Sequence, residues 1–240
     1  MPSTNPSAVT ATAIPSRVIS PQVAGEITKQ ESDFYEWRQL FPFLETLLDL
    51  VPELTVELQT RGPSSSWTQW PETSLYLPEN GHEWDVIPIA HTFPADDVKN
   101  MAWVTSSCTA LPKLSSALRG VEGLRTALLS RLGPKTVLTP HTGWAELSNH
   151  VLRVHLPLLL PEGTSMSGVT CGGSGESRCH VLGDFLVFDD SVVHSGFNNH
   201  ENQSRTVLII DISRPHFVRK GSAITGTTRE LTNLIDYFKS

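Results

Sequence analysis

The sequence predicts a mainly β fold, a β-sandwich or jelly-roll barrel with helices covering one outer face. Three observations carry this. Short segments rich in aliphatic and aromatic residues recur from Trp84 onward. Turn formers such as Gly133-Pro134, Pro161-Glu162-Gly163 and Gly172-Gly173-Ser174-Gly175 separate them. Helical spacing is confined to a few short stretches, which suits flanking helices rather than a helical core.

Residues 1–28 are rich in Ser, Thr, Pro and Ala without periodicity, so they cannot bury enough apolar surface to offset ordering entropy. A disordered tail is expected there, followed by a single domain over 29–240. Order begins near Phe34-Tyr35-Glu36-Trp37, and Phe43, Leu44, Leu47, Leu48 and Val51 follow at helical spacing until Pro52 interrupts. From Gly62 to Gly81, prolines and isolated Trp67, Trp70 and Tyr76 predict a long surface loop pinned by aromatics. Strands are expected at Trp84–Ile89, Leu124–Leu132, Val151–Leu160, Val181–Phe188 and Arg205–Ile212, with one helix near Pro112–Leu118.

The chain has 240 residues and a formal charge of −7, with six Trp and nine Phe to fill one substantial core. The acidic balance and the lack of any basic run argue against nucleic acid and anionic membrane surfaces as partners. The longest aliphatic run, Leu156 to Leu160, is interrupted by Pro157 and closed by Pro161, too short to span a bilayer. The N-terminus lacks the basic start and apolar core of a secretory signal, and its lack of acids before Glu26 only faintly suggests a transit peptide, so a cytoplasmic location is the expectation. Cys108, Cys171 and Cys179 are read as reduced thiols in preference to a local Cys171–Cys179 bridge.

The chemistry is expected on strand faces. In Val151–Leu160 the even positions are all aliphatic while Arg153 and His155 share the other face. Arg205–Ile212 repeats this, with Thr206, Leu208, Ile210 and Ile212 opposite Arg205, Val207, Ile209 and Asp211. Two of the nine histidines have neighbours that suit ligation. His141 lies between Pro140 and Thr142-Gly143, and His194 closes a strand that runs through Asp189-Asp190-Ser191. Two neutral imidazoles suit Fe(II), Zn(II) or Cu(II), but Gly143 stands where a facial triad places its carboxylate. Asp189 or Asp190 is either a third ligand or a turn, capping or supporting residue.

The ordered set Ser130-Arg131-Leu132-Gly133-Pro134, Pro140-His141-Thr142-Gly143, Leu152-Arg153-Val154-His155-Leu156, Phe188-Asp189-Asp190-Ser191 with His194, and Ser204-Arg205 resembles the aspartyl/asparaginyl β-hydroxylase family over about Trp67 to Pro215. The resemblance implies a double-stranded β-helix using Fe(II), 2-oxoglutarate and molecular oxygen. It implies iron held by His141 and His194 alone, with Gly in the carboxylate slot. Arg205 would clamp the distal carboxylate of 2-oxoglutarate, assisted by Ser130. Arg153 and His155 would line the cosubstrate and substrate carboxylate region, with Trp84 and Leu132 as pocket walls. Trp144 to His150 is longer by alignment than in peptide-modifying members, and Val151 stands where an extra arginine serves acidic peptides. The expected substrate is therefore a small amino-acid-like, carrier-bound or secondary-metabolite molecule, with Trp144, His150 and Arg153 contacting it. Alternatives are desaturation, oxidative cyclisation or halogenation by the same oxidant, or a non-catalytic β-barrel binding module.

Overall fold

The computed structural model describes residues 32–62, 67–78, 81–95, 97–172 and 175–239. The tail expected over 1–28 lies outside the described residues. The chain forms, in order, β1 (Phe34–Tyr35), α1 (Trp37–Leu40), α2 (Glu45–Leu48), α3 (Val51–Arg61), β2 (Thr68–Gln69), β3 (Trp84–Thr92) and β4 (Met101–Trp103). Then come α4 (Thr105–Ala110), α5 (Pro112–Arg119), β5 (Leu124–Leu132), β6 (Thr136–Val137), α6 (Ala145–Ser148), β7 (Val151–Leu159) and β8 (Ser167–Cys171). The chain continues through β9 (Glu176–Cys179), β10 (Leu186–Phe188), β11 (His194–Asn198), β12 (Arg205–Ser213) and α7 (Arg229–Lys239).

The architecture is a double-stranded β-helix. An eight-stranded antiparallel sheet runs β1-β10-β7-β12-β5-β3-β2, with β4 added on β3, and a four-stranded sheet runs β6-β11-β8-β9. The sheets face each other, since Arg153, His155 and Arg205 of the larger and Val169, His194 and Gly196 of the smaller line one cavity.

The long central strands β5, β7 and β12 are buried on both faces. Leu129, Leu152, Val154, Leu156, Leu208, Ile210 and Ile212 pack outward against Leu44, Leu47, Leu54 and Leu58 of the N-terminal helical segment and Leu114 and Leu118 of α5. Each such burial stabilises by about 1.5–3 kcal/mol. That leaves Arg153, His155, Arg205 and Asp211 on the opposite, inward face, as period-2 alternation requires. Register places Asp211 opposite Arg153 and Ile209 opposite His155 across β12 and β7.

Several element expectations need correction. Pro52 opens α3 rather than ending a helix, because the first helical turn has no use for its missing N–H. The stretch Val181–Phe188 is strand only at Leu186–Phe188, the part that pairs with β7. His194 begins a strand instead of closing one. The segment expected as a surface loop contributes β2 to the sheet, and its Trp70 and Tyr76 are buried. Strands β8 and β9 and helix α7 were not anticipated, since Ser/Gly-rich or mixed segments lack clean periodicity. All three cysteines are free thiols. Among the described residues, no helix is long and apolar enough to cross a membrane.

Glu57 of α3 is buried, and its two carboxylate oxygens accept from the backbone N–H groups of Lys113 (2.9 Å) and Leu114 (2.8 Å). It thereby satisfies orphan donors at the start of α5 and ties the two helices together. Glu57→Ala should lower unfolding free energy by about 1–3 kcal/mol, because those buried donors lose their acceptor. Urea denaturation checks this, and an unchanged midpoint would contradict the capping role.

Candidate active site

His141 and His194 are brought together by backbone before side chain. The two residues form an antiparallel bridge, with His141 N–H donating to the His194 carbonyl (2.9 Å) and His194 N–H to the His141 carbonyl (2.8 Å). The rings sit with centroids 4.5 Å apart. His141 Nδ1 lies 2.7 Å from the Thr139 carbonyl and His194 Nδ1 lies 2.9 Å from that of Val192. A carbonyl accepts only, so each Nδ1 carries the hydrogen and each Nε2 keeps its lone pair. Burial lowers both pKa values, which keeps the rings neutral. Two lone pairs on adjacent rings are the donor set a divalent transition metal takes. Among the described residues, no group of three or more His, Cys, Asp and Glu side chains is arranged to hold a metal ion.

Gly143 explains itself through its neighbour. A Cβ built there would overlap Oδ2 of Asp190, so the place where a triad carboxylate would start is filled by a carboxylate from the β10–β11 turn. Asp190 Oδ1 stands 3.5 Å from His194 Nε2 and 2.6 Å from Arg153 Nη1. Burial raises the Asp190 carboxyl, an effect that the Arg153 guanidinium reduces without cancelling. The turn is held by Asp189, which accepts from Ser191 N–H (3.0 Å) and Oγ (2.6 Å) and takes both Nη atoms of Arg214 at 2.6 and 3.0 Å. Burial alone would raise the Asp189 carboxyl, but Arg214 and Ser191 outweigh it and hold it low.

Arg153 is committed to the protein's own acids. Besides Asp190, its Nε and Nη2 donate to Asp211 at 2.8 and 3.0 Å. Burial opposes its charge, yet the two carboxylates override that and raise its pKa. Arg205 is the contrast. It is buried, its Nη1 donates to Ser130 O (3.1 Å) and Oγ (3.2 Å), and its Nε has no partner. Desolvation pushes its pKa down to about 9, with no carboxylate among the described residues offsetting it. Ser130 Oγ also accepts from Trp84 Nε1 at 3.0 Å. With both lone pairs engaged, its own hydroxyl hydrogen is available to a further acceptor.

A cavity of about 590 Å³ opens beside His141 and Arg153, walled by Trp70, Trp84, Trp144 and Leu128 and reached by Thr225, Thr228 and Glu230. The indoles stack, Trp70 on Trp84 at 4.6 Å and Trp70 on Trp144 at 5.8 Å. Glu72 fastens this wall by accepting from Trp70 Nε1 (3.2 Å), Trp144 Nε1 (3.2 Å) and Thr228 Oγ1 (2.7 Å). An apolar arm of about 70 Å³ shares Trp70, Leu128 and Trp144 and runs under Leu231, Leu234 and Ile235 of α7.

The structure thus gathers His141, His194, Arg153, His155, Arg205 and Ser130 around the inner cavity with Trp84, and Trp144 at its outer wall. Two expectations need correction. His150, just beyond α6, is exposed and lines neither the inner nor the outer part of the cavity. Leu132 is buried in an apolar cluster with Trp84 and Leu138, and so backs the wall instead of facing the cavity. Asp211, Glu72 and Trp70 were not anticipated as site residues, and of the two acids weighed as a third ligand or a supporting residue it is Asp190 that stands beside His194. For Asp211 a signal existed, since alternation put it on the same face as Arg205.

His155 and His180 are also buried, and burial holds both neutral, His180 down to about 3. Unfolded histidines protonate near pH ~6.5, so this contribution to stability is fully present above that value and is lost as pH falls towards the folded pKa. The loss should reach up to about 1.4 kcal/mol per pH unit for each ring. Urea midpoints measured from about pH 7 to about pH 5 should fall, and less steeply in His180→Gln. Equal slopes would contradict a neutral buried His180.

Comparison with known proteins places these features in a lineage. A curated relative, the ornithine lipid ester-linked acyl 2-hydroxylase of Rhizobium tropici, is 34% identical over 107 residues, covering 44% of this chain and 36% of that protein. Aspartate beta-hydroxylase domain-containing protein 2 of Rattus norvegicus is 31% identical over 137 residues, covering 54% and 38%. The chain therefore spans less than two fifths of the curated relatives it matches. Among solved structures, an oxidoreductase of the 2OG-Fe(II) oxygenase family from Burkholderia pseudomallei aligns over 72% of this chain and 82% of its own, at TM-score 0.46 and 13% identity. A Pseudomonas putida prolyl-4-hydroxylase aligns over 70% and 88%, at TM-score 0.42 and 15% identity. The sequence model described as aspartyl/asparaginyl beta-hydroxylase matches residues 44–215, a span that holds both histidines, Arg153 and Arg205, and the chain belongs to that family.

Proposed function

We propose that this chain is an Fe(II)- and 2-oxoglutarate-dependent oxygenase that hydroxylates a C–H bond of a small or carrier-bound substrate. The observation that carries this reading is Arg205, a buried guanidinium without a carboxylate counter-ion, set beside a serine hydroxyl and opening on the cavity that two neutral imidazoles face. Iron would be held by Nε2 of His141 and His194. The distal carboxylate of 2-oxoglutarate would take Arg205 and the Ser130 hydroxyl, which restores the missing charge partner. Bound iron with the oxo acid and molecular oxygen supplies the oxidation, in which decarboxylation of the oxo acid accompanies hydroxyl insertion.

The protein's own part is positional. The backbone pair fixes the imidazoles, the Nδ1 contacts fix their tautomers, and the tryptophan wall excludes water and holds substrate near the histidines. Arg153, neutralised by Asp190 and Asp211, is a weak lure for a substrate carboxylate. The apolar arm under α7 suits a substrate with an aliphatic portion. The acyl group in the Rhizobium tropici relative's name is of that chemistry.

Anaerobic titration should give one Fe(II) per chain and, with 2-oxoglutarate, a weak visible charge-transfer band that His141→Ala and His194→Ala abolish. Full occupancy and an intact band in either variant would remove that residue from the ligand set. Arg205→Ala should leave iron binding nearly intact but weaken 2-oxoglutarate roughly 30-fold or more, since losing one partner of a buried charge pair costs about 2–5 kcal/mol. An unchanged titration would place the clamp elsewhere. Trp144→Ala should impair substrate-dependent turnover more than uncoupled decarboxylation, with product mass spectrometry reading one added oxygen. Equal loss of both activities would make Trp144 a structural residue only.

A further inference from the structure

Three buried polar side chains form a line that starts at the cavity wall with His155 and runs away from it through His180 to Ser167. His155 on β7 is buried, and its Nδ1 lies 3.1 Å from Nε2 of His180, which follows β9. Nδ1 of His180 lies 3.2 Å from the hydroxyl of Ser167, the first residue of β8. The backbone reinforces the far end, where His180 N–H donates to the Ser167 carbonyl at 2.9 Å. At the near end, Nε2 of His155 is buried with no partner and lies in the wall shared with Arg205 and Ser130.

The line can be hydrogen-bonded in only two ways, because each neutral ring carries one hydrogen and the serine hydroxyl either donates or accepts. In one arrangement Ser167 donates to His180, His180 donates to His155, and Nε2 of His155 presents an N–H to the cavity. In the other every hydrogen points the opposite way, and Nε2 presents a lone pair. A lone pair repels a carboxylate; an N–H binds it. Among the described residues the groups facing His155 and His180 include Arg205, Arg153 and His194, whose charges or positions add to burial in disfavouring a second proton on either ring. The donor at Nε2 must therefore come from hydrogen placement within the line.

We infer that His180 and Ser167 are positioning residues which set the hydrogen of His155 on Nε2, so that the ring donates to 2-oxoglutarate bound beside Arg205 and Ser130. This rests on the proposed use of 2-oxoglutarate. Binding the dianion selects the donating arrangement, and no proton enters or leaves the line. The serine at the end is what allows both directions, since its hydroxyl can turn. A carboxylate there would only accept, and would favour the arrangement with a lone pair at Nε2.

The test uses the full chain loaded with Zn(II), which is diamagnetic, and labelled with ¹⁵N-histidine. With 2-oxoglutarate bound, His155 Nε2 should show the shift of a protonated ring nitrogen and Nδ1 that of an unprotonated one. His180→Leu, which cannot donate, should weaken 2-oxoglutarate about tenfold or more with Fe(II) affinity unchanged. His180→Gln should restore most of the affinity, because its amide donates to Nδ1, with the thermal midpoint near that of the parent chain. In turnover, the effect of His180→Leu should fall on the KM for 2-oxoglutarate more than on kcat. An unprotonated Nε2 in the bound state overturns the inference, as does equal 2-oxoglutarate affinity in His180→Leu and the parent chain. If the parent chain itself fails to bind 2-oxoglutarate, the functional reading falls and the inference with it.

Discussion

The floor of the cavity hangs on a single guanidinium. Arg153 holds Asp190 from the β10–β11 turn and Asp211 from the neighbouring strand, and each carboxylate needs it because neither is exposed to water. Two buried carboxylates sharing one cation is an unusual charge balance. It persists because cross-strand register sets Arg153 opposite Asp211 and because Arg214 draws the turn inward through Asp189. Breaking such a pair by removing one partner leaves a buried charge uncompensated. The imidazole of His194, its neighbour Asp190 and the space above Gly143 therefore depend on one another and on Arg153.

That balance divides the cavity electrically. On one side, Arg205 retains its charge with only neutral partners, a polarity suited to an anion. On the other, the acids outnumber the cation and the remaining wall is indole and aliphatic. Under the proposed function, an anionic cosubstrate and a largely apolar substrate can thus occupy adjacent volumes without competing for one cation. The sorting follows from which strand positions carry acids, since β7, β12 and β5 supply both halves.

Much of the fold was legible because the long central strands alternate cleanly. Leu152, Val154 and Leu156 pack outward while Arg153 and His155 face in, and β12 repeats the pattern. The pairing of His141 with His194 was legible from local context, as Pro140 and Gly143 frame His141 and acids precede His194. What escaped was tertiary in origin. Asp190 in the Gly143 space, Glu72 beneath the Trp144 indole and His180 behind His155 each act through residues more than 20 positions away, for which spacing carries no signal. His150 shows the converse error, because placement in an inserted segment says nothing about which side of the loop faces inward. Short strands such as β8 and β9 were hidden by serine, glycine and charge, and their pairing is set by the sheet rather than by propensity.

Helix α7 and the strap leading to it lie beyond residue 215, the end of the family match, yet they close the outer wall through Thr225, Thr228 and Leu231. The segment is fastened by a few polar contacts, Thr228 to Glu72 and Asn149 to Ala223 among them, rather than woven into either sheet. Part of the cavity wall is therefore carried by a stretch separate from the one that holds His141, His194, Arg153 and Arg205. Exchange or drift of the final tenth of the chain can reshape that wall while the residues of the inner cavity are inherited intact, which gives the lineage a route to a differently shaped cavity that leaves Arg205 and the histidine pair untouched.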